Sequence, residues 1–273
     1  MIDPKGDRML REQLIMAAQS RGASFLEWTP LGPLAYNPFG QGSGSEIADK
    51  ALAGEVFTEP HYLRQAQRYL GHTVRAMSGT NVAVTPASLM AQLDPLALEV
   101  STRSLPDDHA RELQGYLDSL ASVSVGSSRA CAILSILAES DARAWLEPQD
   151  GQVIDLASAV AERAVVYFRL DSDRRALLSQ MLAAAIVGDL VTLVARLQAR
   201  PTPTVVMVDE FAAVAAHEVA RLFGRARSAG VSLILGAQEL ADLKTTSEGL
   251  REQVLANVSA VITHRQNVPS RRS

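Results

Sequence analysis

Cysteine is almost missing from this chain. Cys131 is the one thiol, set in the apolar stretch Ala130 to Leu137, so no disulfide can form within the chain. A lone thiol among aliphatic residues reads as a small buried hydrophobe rather than a nucleophile or a metal ligand. The five histidines (His61, His72, His109, His217 and His264) are scattered without metal-ligand spacing, which argues against a metal site made by protein ligands alone. An excess of positive charge is missing too. With a formal charge of -4, any contact with nucleic acid has to come from a local patch or from assembled subunits.

Long hydrophobic runs are also lacking. Asp189 interrupts the best candidate, Ala183 to Ala195, short of the roughly 18 residues that cross a bilayer. The opening residues MIDPKGD contain neither a basic segment nor an apolar signal core, so a soluble, cytoplasmic chain without a secretory leader is expected. What is present is ample apolar material: 47% of 273 residues, enough for one large domain or two small ones.

Alternation of strand and helix signals organises the two ends. Met1 and Ile2 enter the turn cluster Asp3-Pro4-Lys5-Gly6-Asp7. Arg8 to Arg21 then carry apolar residues at near-helical spacing, and Gly22 stops them. Ser24 to Trp28 read as a short strand, followed by a loop from Pro30 to Gly44 around Asn37-Pro38-Phe39. After Gly151 the rhythm resumes. Strands are expected at Ala164 to Leu170, Thr204 to Val208, Val231 to Leu235 and Ala260 to Thr263, and helices at Asp173 to Arg200, His217 to Ala229 and Gly249 to Asn257. Such alternation predicts an α/β fold, a doubly wound and mainly parallel sheet, and the wholly apolar strands predict burial on both faces.

Between these ends the periodicity is helical only. Helices are expected at Glu46 to Val56, His61 to Ser78, Pro86 to Gln92, Asp107 to Ser124 and Ser128 to Trp145, with Thr85 before Pro86 and Pro106-Asp107-Asp108 as start signals. The expected organisation is therefore 1–44 as the first part of the sheet domain, 45–150 as an inserted all-α domain, 151–268 as the second part, and 269–273 as a disordered tail.

The sharpest chemical pattern is Thr204-Val205-Val206-Met207-Val208-Asp209-Glu210, an apolar strand that delivers two adjacent carboxylates at its carboxyl end. This is a Walker B pattern. Ligands bind outside the carboxyl ends of strands in open α/β sheets, so Asp209 would face Mg²⁺ and Glu210 the attacking water. Taken alone the run also fits a strand ending in a solvated acidic turn. Gln238 follows the next apolar strand at Gly236-Ala237-Gln238, where it can sense a γ-phosphate or simply make a turn. Arg221, Arg225 and Arg227 end a helix between the two strands. They fit either the helix C-terminal dipole or a finger that reaches a neighbouring subunit's phosphate.

Together Asp3-Pro4-Lys5-Gly6-Asp7, Asn37-Pro38-Phe39, Val206-Met207-Val208-Asp209-Glu210-Phe211 and Gly224-Arg225 through Gly230 to Gln238 resemble the TraG/TraD type of type IV coupling protein. That type sits within the wider FtsK/HerA group of P-loop DNA translocases. The resemblance covers nearly the whole chain in order. It implies a RecA-like core, ATP and Mg²⁺ as cofactors, non-specific DNA contact, relaxase or relaxosome and type IV secretion channel partners, and a homo-hexamer at the cytoplasmic face of a bacterial inner membrane. It also implies that the helical insertion is the family's all-α, substrate-recognising domain, of the TraM-recognition kind.

Carried over by position, Asp209 serves Mg²⁺, Glu210 activates water, Gln238 is the sensor, and Arg227, eleven residues ahead of Gln238, is the finger. Asp3 and Lys5 lie near the nucleotide. One departure is plain: no G-x-x-x-x-G-K-[ST] phosphate loop occurs in the 273 residues, and Gly40-Gln41-Gly42-Ser43-Gly44-Ser45 has no lysine and reads as a linker. The resemblance then implies a chain that begins inside the second strand of the ATPase core and hydrolyses little ATP alone. A catalytically inactive partner-binding remnant and a chromosome-handling ATPase of the same group are the alternatives.

Overall fold

The computed structural model describes residues 1–53, 55, 57, 59–80, 82–119, 124–147, 153–214, 216–239, 243 and 249–263, with backbone only for 124–129, 131, 213, 214, 216 and 217. Five parallel strands form one sheet in the order β2-β3-β1-β4-β5: β1 Ile2–Asp3, β2 Phe25–Trp28, β3 Val165–Arg169, β4 Thr204–Val208 and β5 Val231–Leu235. The expected doubly wound α/β sheet is present. β1 pairs with β3 on one side and β4 on the other, although only Ile2 and Asp3 make it up. Its neighbours supply the length, with Phe25 to Trp28 registered on Val165 to Phe168 and Thr204 to Val208 on Val231 to Leu235.

Crossover handedness sorts the helices. α1 (Arg8–Ser20) takes the chain from β1 leftward to β2, whereas α9 (Ala176–Leu197) and α11 (Ala216–Ala226) carry it rightward from β3 to β4 and β4 to β5. Right-handed connections therefore put α1 on one face and α9 with α11 on the other. α9 passes, by length and composition, for a bilayer-spanning helix, because a single Asp189 does not offset its apolar surroundings. Its Leu178, Leu182, Ile186 and Val187 are buried, so it is the central core helix of this fold.

Asp189 survives inside α9 through two partners. Its Oδ1 accepts from Lys50 Nζ at 2.9 Å and its Oδ2 from Tyr36 Oη at 2.8 Å, and Lys50 also donates to the Gln41 carbonyl at 2.5 Å. Lys50 lies in α2 (Gly44–Leu52), so this buried network ties the helical segment to the core helix. Gly188 makes room for it, since a Cβ there would come within 2.9 Å of Lys50 Cγ. The glycine-rich stretch before α2 is correspondingly structured rather than an open linker: Ser43 and Glu46 close a reciprocal capping box on α2.

No strand occurs among the described residues from 44 to 147. α3 (Pro60–Ser78) follows with proline in its first turn and a buried stripe of Ala66, Tyr69, Leu70, Thr73, Val74 and Met77. α4 (Pro86–Gln92) starts on the Thr85 capping box, α5 (Pro95–Ser101) on Asp94, α6 spans Asp107–Ser119 and α7 Ser124–Ala138. The sequence periodicity missed α5, α8 (Leu156–Ala161) and α10 (Phe211–Val214), each too short to show a repeat. It also overran α7, which ends at Ala138, and the helix it expected over 120–123 lies outside the described residues. The buried residues of this helical layer and of the sheet form one continuous hydrophobic cluster.

His72 in α3 is 6% exposed and stacks on Tyr116 at 4.3 Å between ring centroids, while the Arg68 guanidinium lies 4.5 Å from the same ring. Burial, then Arg75, holds its imidazole below the ordinary range, with Glu112 opposing and Arg68 adding. A histidine kept neutral in the fold withdraws stability as pH falls through about 6.5 toward its folded pKa. The unfolding midpoint should therefore drop between pH 7.5 and 5.5, and His72→Phe should flatten that drop. An unchanged slope would exclude His72 as the cause.

Burial on both faces fails for β4 and β5. Val206 and Val208 are buried under α9, but Val205 is 62% and Ile234 47% exposed, because no described helix covers the α1 face beyond β1. Residues 260–263 form no strand. Val261 and Ile262 are exposed and find no strand partner there, and the tail 269–273 lies outside the described residues. So do His264 and the side chains of Cys131 and His217. Among the described residues no group of three or more His, Cys, Asp or Glu side chains could hold a metal ion.

Candidate functional site

Connections leave β1 toward β2 and β4 toward β5, in opposite directions, so a crevice opens at the carboxyl ends of these two adjacent strands. Such a switch point is where doubly wound sheets bind ligands. Asp3 ends β1, Asp209 and Glu210 follow β4, and Gln238 follows β5. Backbone bonds hold the three strand ends flush: Asp209 N–H donates to the Ile2 carbonyl at 3.0 Å, Gly236 N–H to Val208 at 2.9 Å, and Phe211 N–H to Gly236 at 3.2 Å.

Asp3 is 1% exposed and acts as the buttress of the first loop. Its Oδ1 accepts from the backbone N–H groups of Lys5 at 3.1 Å and Gly6 at 2.7 Å, and its Oδ2 from Asp7 N–H at 2.8 Å and Tyr167 Oη at 2.5 Å. With both oxygens committed, Asp3 shapes the turn rather than facing a ligand. Gly6 sits at φ +85, and a Cβ there would come within 2.4 Å of Arg169 Nε. Among the described residues that buried Nε has no hydrogen-bond partner. Burial and Asp3 together push the Tyr167 phenol well above its ordinary range.

This turn aims Lys5 across the crevice. Its Nζ lies 2.6 Å from Glu210 Oε1, and Gln238 Nε2 donates to the same oxygen. Glu210 adopts φ +43, a left-handed conformation uncommon for a residue with a side chain and a mark of functional turns. The hydrogen bond to Glu210 raises the Lys5 ammonium above its usual pKa.

Asp209 differs. Its carboxylate lies against Gly236, where any Cβ would come within 2.2 Å of Oδ1, so the carboxylate occupies the space a side chain would fill. Burial raises its pKa. The Glu210 backbone N–H pulls the other way, the charges of Glu210 and Asp3 raise it further, and Lys5 partly relieves it. An under-neutralised hard carboxylate at a switch point fits Mg²⁺, which takes one or two protein carboxylates and completes its shell with phosphate and water. Asp209 is the residue that would hold it.

The fold thus brings Asp3, Lys5, Asp209, Glu210 and Gln238 together. It does not bring Arg227. That residue is exposed in the 3₁₀ turn Arg227–Ala229, ahead of β5 and on the opposite edge of the sheet from Gln238. Arg221 and Arg225 are exposed on or beside the same helix end. Tyr167, Arg169 and Gly236 were not singled out from the sequence, though Tyr167 is the one hydroxyl in the otherwise apolar run Val165 to Phe168. An apolar cavity lined by Ile2, Val166, Phe168, Ile186, Val194 and Val206 lies inside the core. Its lining is mainly aliphatic, and none of Asp3, Lys5, Asp209, Glu210 and Gln238 reaches it.

No family model and no curated protein matches this chain. Solved structures do. A bacterial conjugative coupling protein, TrwBdeltaN70 in complex with sulphate, matches at TM-score 0.57 and 16% identity, covering 94% of this chain and 67% of that one. The plasmid coupling protein TrwB matches in complex with ADP and Mg²⁺ (TM-score 0.56, 15% identity) and with the non-hydrolysable ATP analogue ADPNP (0.56, 14%), each over 94% of this chain and 68% of the other. The chain has the fold of these coupling proteins.

Proposed function

We propose that this chain forms the Walker B side of a nucleotide-driven DNA translocase of the conjugative coupling kind. The observation that carries this reading is the convergence of Asp209, Glu210, Gln238 and Lys5 at the switch point of a coupling-protein-like sheet. Bound ATP with Mg²⁺ would supply the phosphoryl group and the charge-neutralising cation. The residues divide the remaining work: Asp209 binds the cation, Glu210 takes a proton from the attacking water, and Gln238 links the end of β5 to Glu210. Arg227, on the far edge, would serve a neighbouring subunit's site. Residues 1–44 and 151–268 are assigned to the ATPase domain and 45–150 to partner recognition, with relaxosome and secretion-channel proteins as partners at the cytoplasmic face of the membrane. DNA contact would be electrostatic and salt-sensitive.

The phosphate loop has to come from another segment. Among the described residues β5 pairs with β4 alone, and no helix covers the β4–β5 face bearing Val205 and Ile234. A strand added beside β5 and joined through a helix to Met1 would, by right-handed crossover, put that helix on this face. The test is ATP hydrolysis with and without DNA, for the 273-residue chain alone and for the chain carrying a coupling-protein phosphate-loop segment ahead of Met1. Little turnover is expected from the first and DNA-stimulated turnover from the second. If the second stays inert, the motor reading fails. The missing phosphate loop would then favour a catalytically inactive module that binds transfer proteins, measurable as their capture by the whole chain.

A further inference from the structure

We propose that Lys5 is a positioning residue for Glu210, holding its carboxylate in a withdrawn state together with Gln238 and releasing it by exchanging the carboxylate for a nucleotide phosphate. Glu210 Oε1 accepts from both Lys5 and Gln238, so the oxygen that would abstract a proton from water is occupied by two donors. While both donors hold it, that oxygen is not free to receive a proton from water. Glu210 therefore waits rather than works until one donor leaves.

Lys5 is built to leave. Its side chain is 46% exposed, and an ion pair that open to solvent is weak. The backbone beneath it is the opposite. Asp3 fixes the N–H groups of Lys5, Gly6 and Asp7, the Ser172 N–H donates to the Pro4 carbonyl at 2.7 Å, and Arg169 fills the space under Gly6. A lysine on an ordinary surface loop would gain little direction from its backbone. Here a rigid turn aims a flexible four-carbon stem into the crevice, where a multiply charged phosphate can outcompete one carboxylate for the ammonium. The exchange moves no covalent bond: Lys5 keeps its proton and changes its acceptor.

The exchange rests on the nucleotide reading above, but the pair can be tested without it. The chain has three lysines, Lys5, Lys50 and Lys244, so side-chain ammonium signals in ¹H–¹⁵N spectra can be assigned by Lys5→Arg and Lys50→Arg. The Lys5 signal is expected in the wild-type chain and should be lost or shifted in Glu210→Gln, while Lys50 stays as the internal control. A Lys5 signal indifferent to Glu210→Gln overturns the clamp. Millimolar ADPNP with Mg²⁺, added to the chain carrying the phosphate-loop segment ahead of Met1, should then move Lys5 to a new position that no longer responds to Glu210→Gln. Backbone shifts on adding nucleotide, with Lys5 still responding to Glu210→Gln, overturn the exchange alone. No shift anywhere overturns the exchange together with the nucleotide reading, leaving a structural ion pair.

Discussion

Glu210→Gln is expected to lower ATP turnover roughly 10²- to 10⁴-fold in the chain provided with a phosphate loop, the span a positioned general base contributes. The substitution keeps the side-chain length and an oxygen that can still accept from Gln238, but it removes the group that takes the proton. On the proposed division of roles nucleotide binding should persist, because Asp209, not Glu210, would hold the cation. Folding should persist as well: the Lys5 pair it disrupts is solvent-exposed, and the neighbouring strand ends are held by backbone bonds. Steady-state hydrolysis, nucleotide binding and an unfolding curve on one preparation separate the outcomes. Unaltered hydrolysis would remove Glu210 from the catalytic role, whereas lost binding or lowered stability would mean the effect is structural.

The second large effect is on stability. Lys50→Met should destabilise the chain by about 3–5 kcal/mol, because it leaves the Asp189 carboxylate buried with, among the described residues, the Tyr36 hydroxyl as its remaining side-chain partner. Removing both charges is a different experiment. Lys50→Met combined with Asp189→Leu fills similar volume without a buried ion, and it should recover most of the loss, though the Tyr36 hydroxyl and the Gln41 carbonyl are then left without these partners. Urea unfolding of the two single variants and the double variant forms a cycle that isolates the pair. A Lys50→Met cost below about 1 kcal/mol would mean that water or a shifted side chain compensates Asp189.

Local chemistry made much of the protein readable. Wholly apolar runs marked β4 and β5 at their observed ends, because a strand buried on at least one face and bounded by Pro203, Asp209, Gly230 and Gly236 has few other ways to fold. Thr85-Pro86 marks a helix start through capping, which depends on neighbours a few residues apart. Asp209, Glu210 and Gln238 could be picked out because each comes within three residues of the end of an apolar strand, and a parallel sheet sends all such ends to one edge.

What the tertiary structure alone decided involves residues far apart in the chain. That Asp3 buttresses its loop from within the core depends on Tyr167, and that Asp189 is tolerated in a core helix depends on Lys50 and Tyr36. The sequence pattern cannot distinguish a paired buried charge from an orphaned one, because the partner lies on another element. The same limit applies at the sheet surface. Val205 and Ile234 read as buried from their composition, yet their exposure is set by which helices cross which face, and strand order and crossover hand fix that only once the whole chain is assembled.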